Sequence, residues 1–185
     1  MLNKRMAGTY EITQALHIGK REIVLGIDEN GTEDKYMCGY YVNNGILENY
    51  ENCMVSDNYL EIIKLFAERI QEQADLLQTE RDMITIPTDI ITAEQCYPNE
   101  YSQSINGKVV AIKASSLRHE YQSADRQIVL VNGGSGAEAN SRGRAVFTTN
   151  LYTGKESRWN RDDILGEIKK LPDWAKEKIK EYTKT

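Results

Sequence analysis

The apolar residues Leu60, Ile63, Phe66, Ala67, Ile70, Ala74 and Leu77 recur at steps of three and four, and no other feature constrains the fold of this chain as strongly. The spacing predicts an amphipathic helix that runs to about Glu80, with Ser56, Asp57 or Asn58 capping its start through a short side-chain oxygen. A helix with one apolar stripe needs an apolar surface to cover. The preceding residues supply it, because Arg21 to Ile27, Lys35 to Val42 and Ile46 to Val55 read as strands. Between them stand Asp28-Glu29-Asn30-Gly31 and Asn44-Gly45, whose Asn-Gly steps suit the positive φ of tight hairpin turns. Residues 1–82 are therefore expected to form a three-stranded antiparallel meander with a long helix across one face.

The pattern breaks over residues 83–106, where Pro87, Pro98 and the polar run Asn99 to Gln103 predict a connection with room for a short helix. Strand signals resume at Lys108 to Lys113, Gln127 to Val131, Ala145 to Leu151 and Glu156 to Trp159, the last two joined by a turn through Thr153-Gly154. Leu171-Pro172-Asp173-Trp174 opens a terminal helix, with Pro172 at the first helical position and Ala175, Ile179 and Tyr182 sharing a face. Residues 107–185 thus read as a second small antiparallel sheet with a C-terminal helix, and the fold class is α+β. A chain of 185 residues, 40% hydrophobic and 28% charged, is long and apolar enough for a sizeable core, which excludes a disordered chain. It holds no apolar run near the roughly 20 residues of a membrane span. The opening Met1-Leu2-Asn3-Lys4-Arg5 leads into polar residues, so a cytoplasmic protein without a membrane partner is expected.

The net charge of −5 conceals two opposite regions. Residues 28–100 carry four basic and sixteen acidic side chains, whereas residues 101–185 carry fifteen basic and ten acidic ones. Asp28, Glu29, Glu33 and Asp34 concentrate the negative charge in one turn, a candidate acidic surface for a partner. Arg142, Arg144, Lys155, Arg158 and Arg161 form the best candidate nucleic-acid patch, opposed over residues 141–161 only by Glu156. Tyr152 and Trp159 stand nearby as possible stacking platforms for an unpaired base. Five phosphate contacts on a single strand predict a logarithmic salt slope near −3.5, from about −0.7 per contact.

Other motifs are weaker. Gly133-Gly134-Ser135-Gly136 follows a strand, as a phosphate loop does, but no Gly-Lys-Ser/Thr follows and the chain proceeds to another strand, so it reads as a flexible hairpin loop and no nucleotide cofactor is expected. Arg118, His119 and Glu120 form the candidate catalytic trio, since a histidine beside an arginine suits acid–base cleavage of a phosphodiester. The second histidine, His17, is remote in sequence. Cys38, Cys53 and Cys96 form no Cys-x-x-Cys pair, and His-Glu-x-x-His is missing, so neither a metal nor a disulfide framework is predicted.

Longer stretches of the second half carry a family likeness. Gly107 to Arg118, Gly133-Gly134, Asn140 to Phe147, Asn150-Leu151-Tyr152-Thr153-Gly154 and Leu171 to Ala175 resemble small proteins carried by conjugative elements and phages of Gram-positive bacteria, among them type II-A anti-CRISPR proteins. The likeness covers about residues 83 to 183 well and the first half more loosely, with Ser135 and His119 departing from its pattern. It implies an inhibitor that binds an RNA-guided Cas nuclease and interferes with its guide RNA. The alternatives are an enzyme that cleaves guide RNA in the presence of the nuclease, and a DNA-mimicking antirestriction factor built on the acidic block.

Overall fold

Strands β3 (Arg21–Ile27), β4 (Tyr36–Asn43) and β5 (Glu48–Ser56) form the expected meander in the computed structural model, which describes residues 4–43 and 47–182. Two further strands, β1 (Met6–Ala7) and β2 (Tyr10–Ile18), precede them, giving one antiparallel sheet in the order β1-β2-β3-β4-β5. The β3–β4 connection departs from the predicted Asn30-Gly31 turn. Its positive φ belongs to Asp34, at 54°, and the Asp28 carboxylate accepts from the Asn30 backbone N–H at 3.0 Å, closing an Asx turn inside a longer loop. Asn44-Gly45 lies outside the described residues.

Helix α1 (Tyr59–Asp82) is capped by Asn58, whose side-chain oxygen accepts from the Leu60 N–H at 3.1 Å. It runs two residues beyond Glu80, and its buried face is rotated from the predicted stripe. Ile62, Arg69 and Gln73 are buried, Ile63, Phe66, Ile70 and Leu77 are half-buried, and Leu60, Ala67 and Ala74 are exposed. The reason is Arg69. Its guanidinium enters the helix–sheet interface, donates to the Cys38 and Asn52 carbonyls at 3.1 and 2.7 Å, and lies 4.8 Å from the Tyr40 ring centre. Asn52, with φ 50°, sits where the β4–β5 register slips between Cys38 and Tyr40, so the arginine serves a carbonyl of the bulge. Ile23, Leu25, Cys38, Tyr40 and Ile62 complete this core. On the opposite sheet face, Arg5 lies 3.9 Å from the Tyr41 ring centre and pairs with Glu22 at 2.5 Å.

The chain divides into two compact units, Met1–Met83 and Ile84–Thr185. In the second, strands β6 (Val109–Ile112), β7 (Ile128–Gly133), β8 (Ala145–Asn150), β9 (Glu156–Asn160) and β10 (Ile164–Glu167) form an antiparallel sheet in the order β10-β6-β7-β8-β9. β10 was not expected. One face packs Val110, Ile112, Val129, Val131, Val146 and Ile164 against Ile105 and Ala137. The other buries Ala111, Ile128 and Leu151 with Ala124 of helix α2 (Ala124–Gln127) and Ala175 of helix α3 (Asp173–Tyr182). Pro172 precedes α3 rather than opening it, its carbonyl accepting from the Ala175 and Lys176 N–H groups at 3.1 and 3.2 Å.

Residues 84–106 are no free connection but part of this second unit. Gln127, fully buried, accepts from the Ile91 N–H and donates to the Ile91 and Ile112 carbonyls, and Asn99 donates to the Arg161 and Ile164 carbonyls. The expected short helix is the single turn Ala93–Gln95. Among the described residues no helix is long and apolar enough to cross a membrane.

Candidate nucleic-acid interface

Strands β8 and β9 pair Val146 with Trp159, Phe147 with Arg158, and Thr149 with Glu156. Strand alternation therefore sends Val146 and Trp159 to one face and Phe147 and Arg158 to the other. Trp159 packs on the first core of its unit, which withdraws it as a stacking platform. Tyr152 is half-buried and meets Trp174 edge to face, with ring centres 6.1 Å apart. The exposed aromatic of this hairpin is Phe147, with half of its surface open to solvent. Alternation along β8 was the available signal for it.

The five predicted cations separate into three kinds. Arg142, Lys155 and Arg158 are exposed, and among the described residues no carboxylate forms a salt bridge with them. Arg144 is exposed but pairs with Asp162 at 3.6 Å, and the second Asp162 oxygen accepts from the Tyr101 hydroxyl. That bond, with burial, pushes the Tyr101 phenol above its ordinary pKa. Arg161 is the correction. It is 1% exposed, and its two terminal nitrogens donate to the carbonyls of Gly136, Glu100 and Gln103 at 3.1, 2.9 and 3.1 Å, tying residues 100–103 to the glycine loop. Burial lowers its pKa from the ordinary arginine value. It cannot reach a nucleic acid.

The glycine loop is packed rather than flexible. Gly134 has φ 106°, and a Cβ there would stand 2.4 Å from the Ala145 carbonyl oxygen; one on Gly136 would stand 2.4 Å from that of Arg144. These glycines let two backbone segments touch, and Ala137 N–H is already spent on the Gly134 carbonyl at 2.9 Å. Their task is close approach, not anion capture.

Asn150, to which the sequence assigned no role beyond the family likeness, shapes the β8–β9 turn. Its side-chain oxygen accepts from the Tyr152 and Thr153 N–H groups at 3.1 and 2.7 Å while its amide donates to the Asp125 carbonyl at 2.8 Å. The signal was an asparagine ahead of Thr153-Gly154. Arg118 and His119 are exposed and Glu120 half-buried at the single helical turn His119–Tyr121. His17 lies on β2 in the other unit.

In the first unit the β3–β4 loop carries Glu29, Glu33 and Asp34 exposed. Asp28 is committed to the loop itself: a hydrogen bond from Thr9 and then the Asn30 and Gly31 backbone hold its carboxylate below the ordinary pKa. The Tyr10 hydroxyl donates to the Asp34 carbonyl at 2.7 Å, fixing the far side. Among the described residues no three His, Cys, Asp or Glu side chains gather as a metal site. In the second unit a cleft of about 490 Å³ runs between Pro87, Ile91, Leu171, Pro172 and Trp174. No family model, no curated protein and no solved structure matches this chain.

Proposed function

We propose that this protein is an inhibitor encoded by a mobile element, which acts in the bacterial cytoplasm by binding a type II RNA-guided Cas nuclease and interfering with its guide RNA. The observation that carries the reading is the exposure of Arg142, Lys155 and Arg158 on and beside the β8–β9 hairpin, three cations in reach of an RNA backbone and unopposed by paired carboxylates among the described residues. The nuclease context comes from the family resemblance of residues 83 to 183. An RNA-guided nuclease holds its heteroduplex in a positively charged channel, so the exposed Glu29, Glu33 and Asp34 suit the channel while the hairpin cations suit guide-RNA phosphates.

The binding reading rests on the exposed hairpin cations, and the trio at residues 118–120 carries the cleavage alternative. The test is DNA cleavage by a type II nuclease with added protein, followed by gel analysis of the guide and pull-down with and without guide RNA. Inhibition with an intact guide, relieved by the combined R142A/K155A/R158A variant, is expected. Shortened guide RNA that depends on Arg118, His119 or Glu120 would replace binding by cleavage. Inhibition abolished by neutralising Asp28, Glu29, Glu33 and Asp34 but untouched by the hairpin variant would replace RNA contact by DNA mimicry.

A further inference from the structure

We infer that Phe147 is a stacking platform for one unpaired nucleobase, so that the hairpin takes single-stranded rather than duplex nucleic acid; this rests on the RNA-binding reading above. Phe147 is half-exposed at the centre of β8, directly across from Arg158. Beneath it lies the glycine loop: a Cβ on Gly134 would come within 3.2 Å of the Phe147 ring, so the bare glycine backbone lets the ring lie close on that side. Other nearby rings are occupied, Trp159 in the core and Tyr152 against Trp174.

The surroundings fit a nucleotide. Arg158 supplies positive charge one strand away, at the distance of a cross-strand pair, where the phosphate beside a stacked base would lie. Asn132, exposed on β7, donates to the Thr149 hydroxyl at 2.7 Å, which places its amide on the face that Thr149 shares with Phe147 and beside any base resting there. Phe147 belongs to neither hydrophobic core of its unit, and an exposed phenylalanine flanked by arginine on a sheet face matches the general manner in which single strands are bound, by a ring for the base and a cation for the backbone.

Fluorescence anisotropy with the full-length protein and a labelled 12-nucleotide oligouridine tests this, beside the same length of RNA duplex and of oligodeoxythymidine. F147A is expected to weaken single-strand binding roughly 5- to 150-fold, the range for loss of one stacked base. F147Y should retain binding within about threefold, since it keeps the ring, whereas F147L keeps volume without π-stacking and should behave like F147A. Duplex binding should not respond to F147A. A circular-dichroism melt establishes that each variant is folded; F147L and F147Y serve if F147A is not. Wild-type binding that survives F147A and F147L unchanged overturns the platform while leaving the cationic reading intact. Wild-type protein that binds no single strand overturns both. Oligodeoxythymidine that binds more tightly than oligouridine, with the same loss in F147A, supports the platform and assigns it to a displaced DNA strand instead of the guide.

Discussion

Two arginines of this chain carry their charge inward, and both are held by carbonyls rather than carboxylates. A guanidinium suits this because its planar fork serves several acceptors at once. Arg161→Ala would leave three carbonyls and a void behind, and is expected to cost about 2–4 kcal/mol in denaturant unfolding. Any fall in RNA affinity should disappear once the unfolded fraction is corrected for, whereas Arg158→Ala should lower affinity at unchanged stability. Asp162→Asn tests the part played by Arg144. It removes the charge that pairs with Arg144 while retaining an acceptor for Tyr101, so single-stranded RNA should bind about two- to fivefold more tightly, the worth of one exposed ion pair. Unchanged affinity in an anisotropy titration would place Arg144 outside the interface. Counting charges in sequence treats every arginine as solvated, and so the patch of five was legible while its reduction by Arg161 was not. Nothing local in Asn160-Arg161-Asp162-Asp163 announces that residues 100–103 will offer it their carbonyls.

Elements with strong apolar alternation were legible: β3 to β9 and α3 lie within a few residues of their sequence assignments. β1, of two residues, is too brief for a period to register, and β10 is an edge strand whose register slips between Ile164 and Gly166. β2 escaped because its register slips between Ile12 and Gln14, which interrupts the alternation that would have marked it. The stripe on α1 predicted a helix correctly but assumed that only apolar residues face the sheet, and Arg69 and Gln73 rotate it. The glycine run likewise could be read as mobile from sequence, since composition does not reveal what a missing side chain makes room for. Gly134→Ala is therefore expected to destabilise the β7–β8 junction by about 2–4 kcal/mol, from a positive φ compounded by overlap with the Ala145 carbonyl. A thermal melt of that variant that matches wild type would return the loop to a flexible one.

Across the whole molecule the polarity seen along the sequence follows the division into units: Met1–Met83 carries eight basic and fifteen acidic side chains, a net of −7, and Ile84–Thr185 fifteen and thirteen, a net of +2. A net of +2 is too small to hold RNA by general attraction, so affinity has to come from a few placed contacts, and the number of those contacts is measurable. With Arg161 buried and Arg144 paired, Arg142, Lys155 and Arg158 remain, and three contacts at about −0.7 each give a logarithmic salt slope near −2 in place of −3.5. Single-strand binding should then weaken roughly 20-fold between 50 and 200 mM salt rather than about 100-fold. Arg158→Ala should flatten the slope by about 0.7, since it deletes one phosphate contact. Phe147→Ala should leave the slope alone while lowering affinity, because stacking releases no counterions. A wild-type slope near −3.5 would mean that further cations reach the backbone, and a flat one would remove phosphate contact, and with it the reason for the hairpin's exposed charge.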